Sequence, residues 1–193
     1  PVPDGRYNPL VGQTPAAGFG SIDPVLMEVQ RKRSATRKVS VAGSIIGLIT
    51  MSIQVIAATT LFVTSVVPRD PSLEFTFLDF IGLLAMIFTP FVVGLGWIVT
   101  FILGLIACIR ANSRTPQVQP DGWIAAKLPT LMLLVASIVA GLPTLAIYVA
   151  WFSEGSSESV VKSLLVACDL VEVLIAAGFV VVLRMSKALN PVV

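Results

Sequence analysis

The sequence predicts an all-α integral membrane four-helix bundle with N- and C-termini cytoplasmic, and three observations carry that prediction. Four long apolar runs fill most of the 193 residues. The charges between the runs alternate in character from loop to loop. Only 12% of residues are charged and 55% are hydrophobic, with a mean hydropathy of +0.91. Soluble domains carry about 25% charged residues. A soluble fold of this size has too little interior to hide four segments that are apolar on every face. A bilayer removes that difficulty.

The runs have the length a membrane requires. No charge falls between Lys38 and Arg69, between Asp79 and Arg110, or between Lys127 and Glu154. Each gap exceeds the roughly 20 residues that cross a hydrocarbon core of about 30 Å as a helix. A fourth run, Ser163 to Leu183, is apolar apart from Asp169 and Glu172. The spans are placed at 41–67, 80–109, 128–152 and 161–183. Residues 39–193 form the membrane domain, and residues 1–38 an arm with a basic juxtamembrane segment.

Lys and Arg set the direction. Arg31, Lys32, Arg33, Arg37 and Lys38 precede the first span. Arg110, Arg114 and Lys127 face Asp121 alone in the second loop, and Arg184 and Lys187 follow the last span. The other two loops hold Arg69, Asp70, Glu74 and Asp79, then Glu154, Glu158 and Lys162. Basic residues thus gather at alternate ends, so both termini face the cytoplasm. The same cluster, Arg31 to Lys38, is a candidate contact for anionic lipid headgroups, each basic residue near the surface contributing about 1 kcal/mol. Ser34 follows three basic residues, and a phosphate there would weaken that attraction.

Residues 1–24 are broken every few positions by Pro or Gly and keep no helical or strand period. Such an arm is disordered or gains order by lying on a partner. Leu26 to Lys38 extends the first helix, with Asp23 as its N-cap. The first apolar run follows so long a polar stretch that it reads as a retained helix rather than a cleavable signal. Pro90 and Pro143 each remove an intrahelical hydrogen bond and predict kinks. Trp123, Tyr148 and Trp151, with Phe75, Phe77 and Phe80, sit at span ends as interfacial anchors. No internal repeat relates the two halves, which argues against an inverted-repeat transporter.

Chemistry-bearing residues are few. There is no histidine, which excludes His-ligated haem and any Ser-His or Cys-His pair. Cys108 and Cys168 lie within apolar runs and read as small buried hydrophobes. No P-loop, G-x-S-x-G, H-E-x-x-H or G-x-G-x-x-G pattern occurs. The expectation is no enzyme activity, no cofactor, no metal and no nucleic-acid partner. Gly43 and Gly47, and Ala136 and Ala140, have the spacing that lets helices approach closely, and packing within the chain is the default reading.

Asp169 and Glu172 are the sharpest signal. Three residues apart, they share a helix face, and Glu172 lies roughly 17 Å from the basic end of its span, close to the midplane. A mid-membrane carboxylate costs about 2.5–3.5 kcal/mol even on a lenient scale, so neither should face lipid. The pair could bind a proton or cation, dock another subunit, or fix internal packing. Gln54 lies at similar depth, and Ser52, Thr89 and Ser137 are the remaining candidate donors, too few for two full charges.

The function expected from these features is a non-catalytic accessory or structural subunit of a larger integral-membrane complex, energy-transducing complexes included. It rests on an irregular arm, little soluble mass and an acidic face without a partner. The alternative is a small homo-oligomeric proton- or cation-coupled transporter or channel using Asp169 and Glu172. Arg outnumbers Lys and Ala, Val and Gly abound, which points to a bacterial cytoplasmic membrane. Topology is tested by single cysteines in a background lacking Cys108 and Cys168. Cysteines at Ser72 and Ser156 should label from outside, and one at Ser113 should not.

Overall fold

In the computed structural model, residues 24–67, 76–112, 120–153 and 157–189 are described, and all regular structure among them is helical. Five helices make four spans: α1 Pro24–Val66, α2 Phe77–Asn112, α3 Pro120–Ala140 with α4 Leu142–Phe152, and α5 Glu158–Ala188. All four spans are long and apolar enough to cross a membrane, as an integral membrane protein requires. The arm before Pro24, with Asp23, and the three loops lie outside the described residues.

The helices overrun the expected spans. At 43 residues α1 is about 65 Å long at 1.5 Å per residue, twice the hydrocarbon thickness. The basic turns ahead of the first span are therefore helical, as expected from Leu26 onward. Within them Lys32 pairs with Glu28 one turn back, at 3.0 Å, while Arg31 and Lys38 are exposed and Arg33 and Arg37 half-buried. α2 begins three residues earlier than expected, because Thr76 and Asp79 make a capping box. The Thr76 N–H and hydroxyl donate to Asp79 Oδ2 at 3.0 and 2.7 Å, and the Asp79 N–H donates back to Thr76 Oγ1 at 3.3 Å.

Helix α1 is the hub, packing against α2, α3 and α5, while α2 meets α3, and α3 and α4 meet α5. Its contact with α5 is an antiparallel seam with regular rungs. Ser40 and Ser186 hydroxyls bond at 2.7 Å at the basic end. Seven residues along, the Phe179 ring lies on Gly47, where an added Cβ would sit 2.5 Å from the ring. Seven further, Gln54 meets Glu172. Seven residues are close to two helical turns, so the same face of each helix returns at each rung. Gly43 is similarly tight, against Leu133 and Leu103. The G-x-x-x-G motif therefore serves packing within the chain. Phe179, Met51, Leu133 and Val182 are fully buried around this seam, and Ala140 belongs to the same core. A second apolar cluster, with Ala58, Leu61, Ile147, Leu165 and Cys168, fills the opposite half.

The prolines act differently from one another. Helix α2 runs through Pro90 without interruption. Pro90 has no N–H to give the Met86 carbonyl four residues back. The Tyr148 hydroxyl supplies that donor at 2.8 Å. Tyr148, expected as a headgroup anchor, thus spends its polar tip on a backbone carbonyl of α2. Near Pro143 the third span divides for one residue. Gly141 separates α3 from α4, yet keeps helical dihedrals (φ −80°, ψ −17°), so hydrogen bonding breaks while the chain continues its direction.

Tyr148→Phe should leave the Met86 carbonyl without a donor and destabilise the bundle by about 1–2 kcal/mol. In a Pro90→Ala background the restored N–H takes over, and the cost of Tyr148→Phe should fall to near zero in detergent unfolding experiments.

Candidate functional site

The interruption of the third span and the acidic residues of α5 come together. A helix end leaves its last carbonyls without intrahelical donors, and in a membrane these must be satisfied by other protein groups. Two side chains from other helices do so here. Gln54 Nε2 of α1 donates to the Ala140 carbonyl at 3.3 Å, and Trp97 Nε1 of α2 donates to the Ser137 carbonyl. The Trp97 indole reaches that position because residue 141 is glycine. A Cβ there would come within 3.1 Å of the ring.

The other N–H of the Gln54 amide goes to Glu172. Nε2 donates to Glu172 Oε1 at 2.8 Å, a buried bond between α1 and α5. Glu172 is 0% exposed and Gln54 3%. The depth match between Gln54 and Glu172 expected from counting residues is therefore a direct contact. Asp169, one turn away, is half-buried and accepts a hydrogen bond from the Thr59 hydroxyl at 3.2 Å. Cys168 beside it is buried, and its thiol approaches the Pro143 carbonyl at 3.7 Å. Cys108 and Cys168 are both free thiols.

These contacts correct one expectation. The acidic face of α5 has partners within the chain, because α1 turns Gln54 and Thr59 toward it. Lys162 pairs with Glu158 at 2.7 Å, one turn closer to the end. Ser52 and Ser137, offered as donors, bond their own helices at Leu48 and Leu134. The residues that residue counting missed are Thr59, Trp97 and Tyr148. Each is an ordinary apolar-helix residue by composition, and only the rotation of its helix decides what it meets.

The satisfaction is incomplete, and the shortfall is confined to this region. Among the described residues, the buried side-chain polar atoms without a hydrogen bond are Gln54 Oε1, Thr144 Oγ1, Asp169 Oδ1 and Glu172 Oε2. Native interiors leave few such groups, and each calls for a reason. Three of the four are pure acceptors if the carboxyls are ionised. Among the described residues no group of three or more His, Cys, Asp or Glu side chains could hold a metal. Compared with family models, curated proteins and solved structures, the chain matches none.

Gln54 is the only side chain here that serves two helices at once. Gln54→Leu should cost about 1–2 kcal/mol of bundle stability, because both the Ala140 carbonyl and Glu172 lose their donor. Thr59→Val, which strips only the half-buried Asp169, should cost less. Unfolding in a mild detergent, followed by circular dichroism, measures both.

Proposed function

We propose that the protein is a small, non-enzymatic transporter or channel that handles a proton or small cation at Glu172. One observation carries this reading: a fully buried carboxyl beside an interrupted helix, with an oxygen that no protein group satisfies. Ion-coupled proteins bind their ions beside such helix breaks; here Gln54 and Trp97 hold carbonyls of the break, which leaves Glu172 to hold the ion. An ionisable residue within a span is costly to bury and is read first as part of an ion pathway or proton relay. Charge placement supports cytoplasmic termini in a bacterial cytoplasmic membrane, with Arg31, Lys32, Arg33, Arg37 and Lys38 against anionic headgroups.

Asp169 favours a second reading. It sits only half-buried, flanked on α5 by exposed Val166, Leu170 and Val173. A carboxyl on that flank is poorly placed against lipid. A neighbouring membrane subunit would cover that flank, which keeps the accessory-subunit role as the alternative. Glu172, closed inside the bundle, offers nothing to such a partner.

The two separate cleanly in experiment. Purified protein reconstituted in vesicles should pass protons or a monovalent cation, and Glu172→Gln should lower that flux to the level of protein-free vesicles. Mass analysis after mild-detergent purification should give a homo-oligomer. A stoichiometric unrelated partner that is lost on Asp169→Asn, together with absent flux, would establish the subunit role instead.

A further inference from the structure

We infer that Glu172 is a proton-binding site whose neutral acid closes a ring of two hydrogen bonds with the Gln54 amide. The inference deepens the ion-handling reading by naming the ion, and it rests on the same side chain. Gln54 Nε2 donates to Glu172 Oε1 at 2.8 Å. The second atom of each group, Gln54 Oε1 and Glu172 Oε2, is buried and without a partner. Both are acceptors, so no rotation of either group lets them satisfy one another. Exchanging the amide oxygen and nitrogen would set the amide oxygen against Glu172 Oε1 and would withdraw the donor from the Ala140 carbonyl.

One proton resolves both vacant acceptors. On Glu172 Oε2 it donates to Gln54 Oε1, while Gln54 Nε2 continues to donate to Glu172 Oε1. An amide and a carboxylic acid are both planar, and their donor and acceptor atoms are spaced to pair twice. The second amide hydrogen remains on the Ala140 carbonyl. All polar atoms of the pair are then satisfied, and no net charge is buried.

The surroundings supply no alternative counter-charge. From its own helix Glu172 is faced by Asp169 and Cys168, which bring no positive charge. Helix α1 presents Gln54 and α3 presents the Ala140 carbonyl. The titratable group of α4 is Tyr148, whose hydroxyl is engaged with the Met86 carbonyl. Between Asp79 and Arg110 helix α2 has no charged residue. A bound metal ion fits less well, because an alkali cation needs several oxygens converging on one point. Here the Gln54 nitrogen already lies on both Glu172 Oε1 and the Ala140 carbonyl, so those two oxygens converge on an N–H donor rather than on a cation.

Infrared spectroscopy of the full-length protein in lipid reads the state directly. At neutral pH the protein should show the carbonyl stretch of a protonated carboxylic acid, shifted by deuterium oxide. Glu172→Gln should remove that band entirely, and Asp169→Asn should leave it in place. Gln54→Leu should move it to the frequency of a more weakly hydrogen-bonded acid. Glu172→Gln keeps a donor for Gln54 Oε1 and should fold with an unchanged melting temperature, so loss of the band reports the proton rather than collapse. An acid band indifferent to Glu172→Gln would overturn the inference. So would a Glu172 carboxylate signature that shifts when sodium is added, although ion handling would then stand. A Glu172 acid band in a protein without flux would do the reverse, keeping the proton site and removing the transport reading.

Discussion

A carboxyl and an amide held face to face in the middle of four apolar helices fix how those helices sit. Between lipid-facing surfaces no hydrophobic force drives helices together, so close packing and buried hydrogen bonds must do so. Gln54 and Glu172 provide the bond, and the rung beside it, Phe179 on Gly47, provides the packing. Because the rungs fall at equal intervals along α1 and α5, sliding either helix by one residue breaks all of them together. The Ser40–Ser186 bond at the basic end is the same constraint expressed a third time. Gln54 then extends it across the bundle to Ala140, tying α3 to the pair.

The prolines place the remaining elements by the same logic. Each removes a donor, and hydrocarbon offers no water to replace it. Tyr148 serves the carbonyl freed by Pro90, which joins α4 to α2. Trp97 serves the Ser137 carbonyl before the interruption, which joins α2 to α3. Helices α1 to α4 are therefore joined by side chains that reach backbone carbonyls of a neighbour, and α5 by bonds between side chains. The defects in the helices are what give the bundle a specific arrangement, since uniformly apolar helices could pack in several ways at similar energy.

Depth was readable from the sequence and rotation was not. Counting residues from the basic ends placed Gln54 and Glu172 at one level, because helical rise is fixed at about 1.5 Å per residue. It also identified the four spans, because length and hydropathy need no tertiary information. Which way a residue points depends on how its helix is turned about its own axis. That is why Thr59 escaped notice as the partner of Asp169, and why Ser52, at an equally suitable depth, bonds only its own helix. Periodicity gives little help where nearly every residue is apolar. Pro143 predicted a disturbance of the third span, and its division falls at Gly141, where Trp97 packs.

The buried polar groups are not distributed evenly about the Gln54–Glu172 rung. Ser40, Ser44, Thr50, Thr100, Ser137 and Ser186 are buried on its basic side. On the other side the cluster of Ala58, Leu61, Ile147, Leu165 and Cys168 contains no hydroxyl. Most of the hydroxyls bond carbonyls of their own helices, as Ser44, Thr50 and Thr100 do. Satisfied in that way they cost little in the folded state, yet each retains an acceptor lone pair that faces the core. Glu172 therefore stands between a core half rich in buried hydroxyls and one that, beside this apolar cluster, holds the buried hydroxyl of Thr144. The Phe179 ring on Gly47 lies between it and the Ser40–Ser186 pair. Toward the other end stand Leu165 and Ala58. The bundle is thus asymmetric about Glu172.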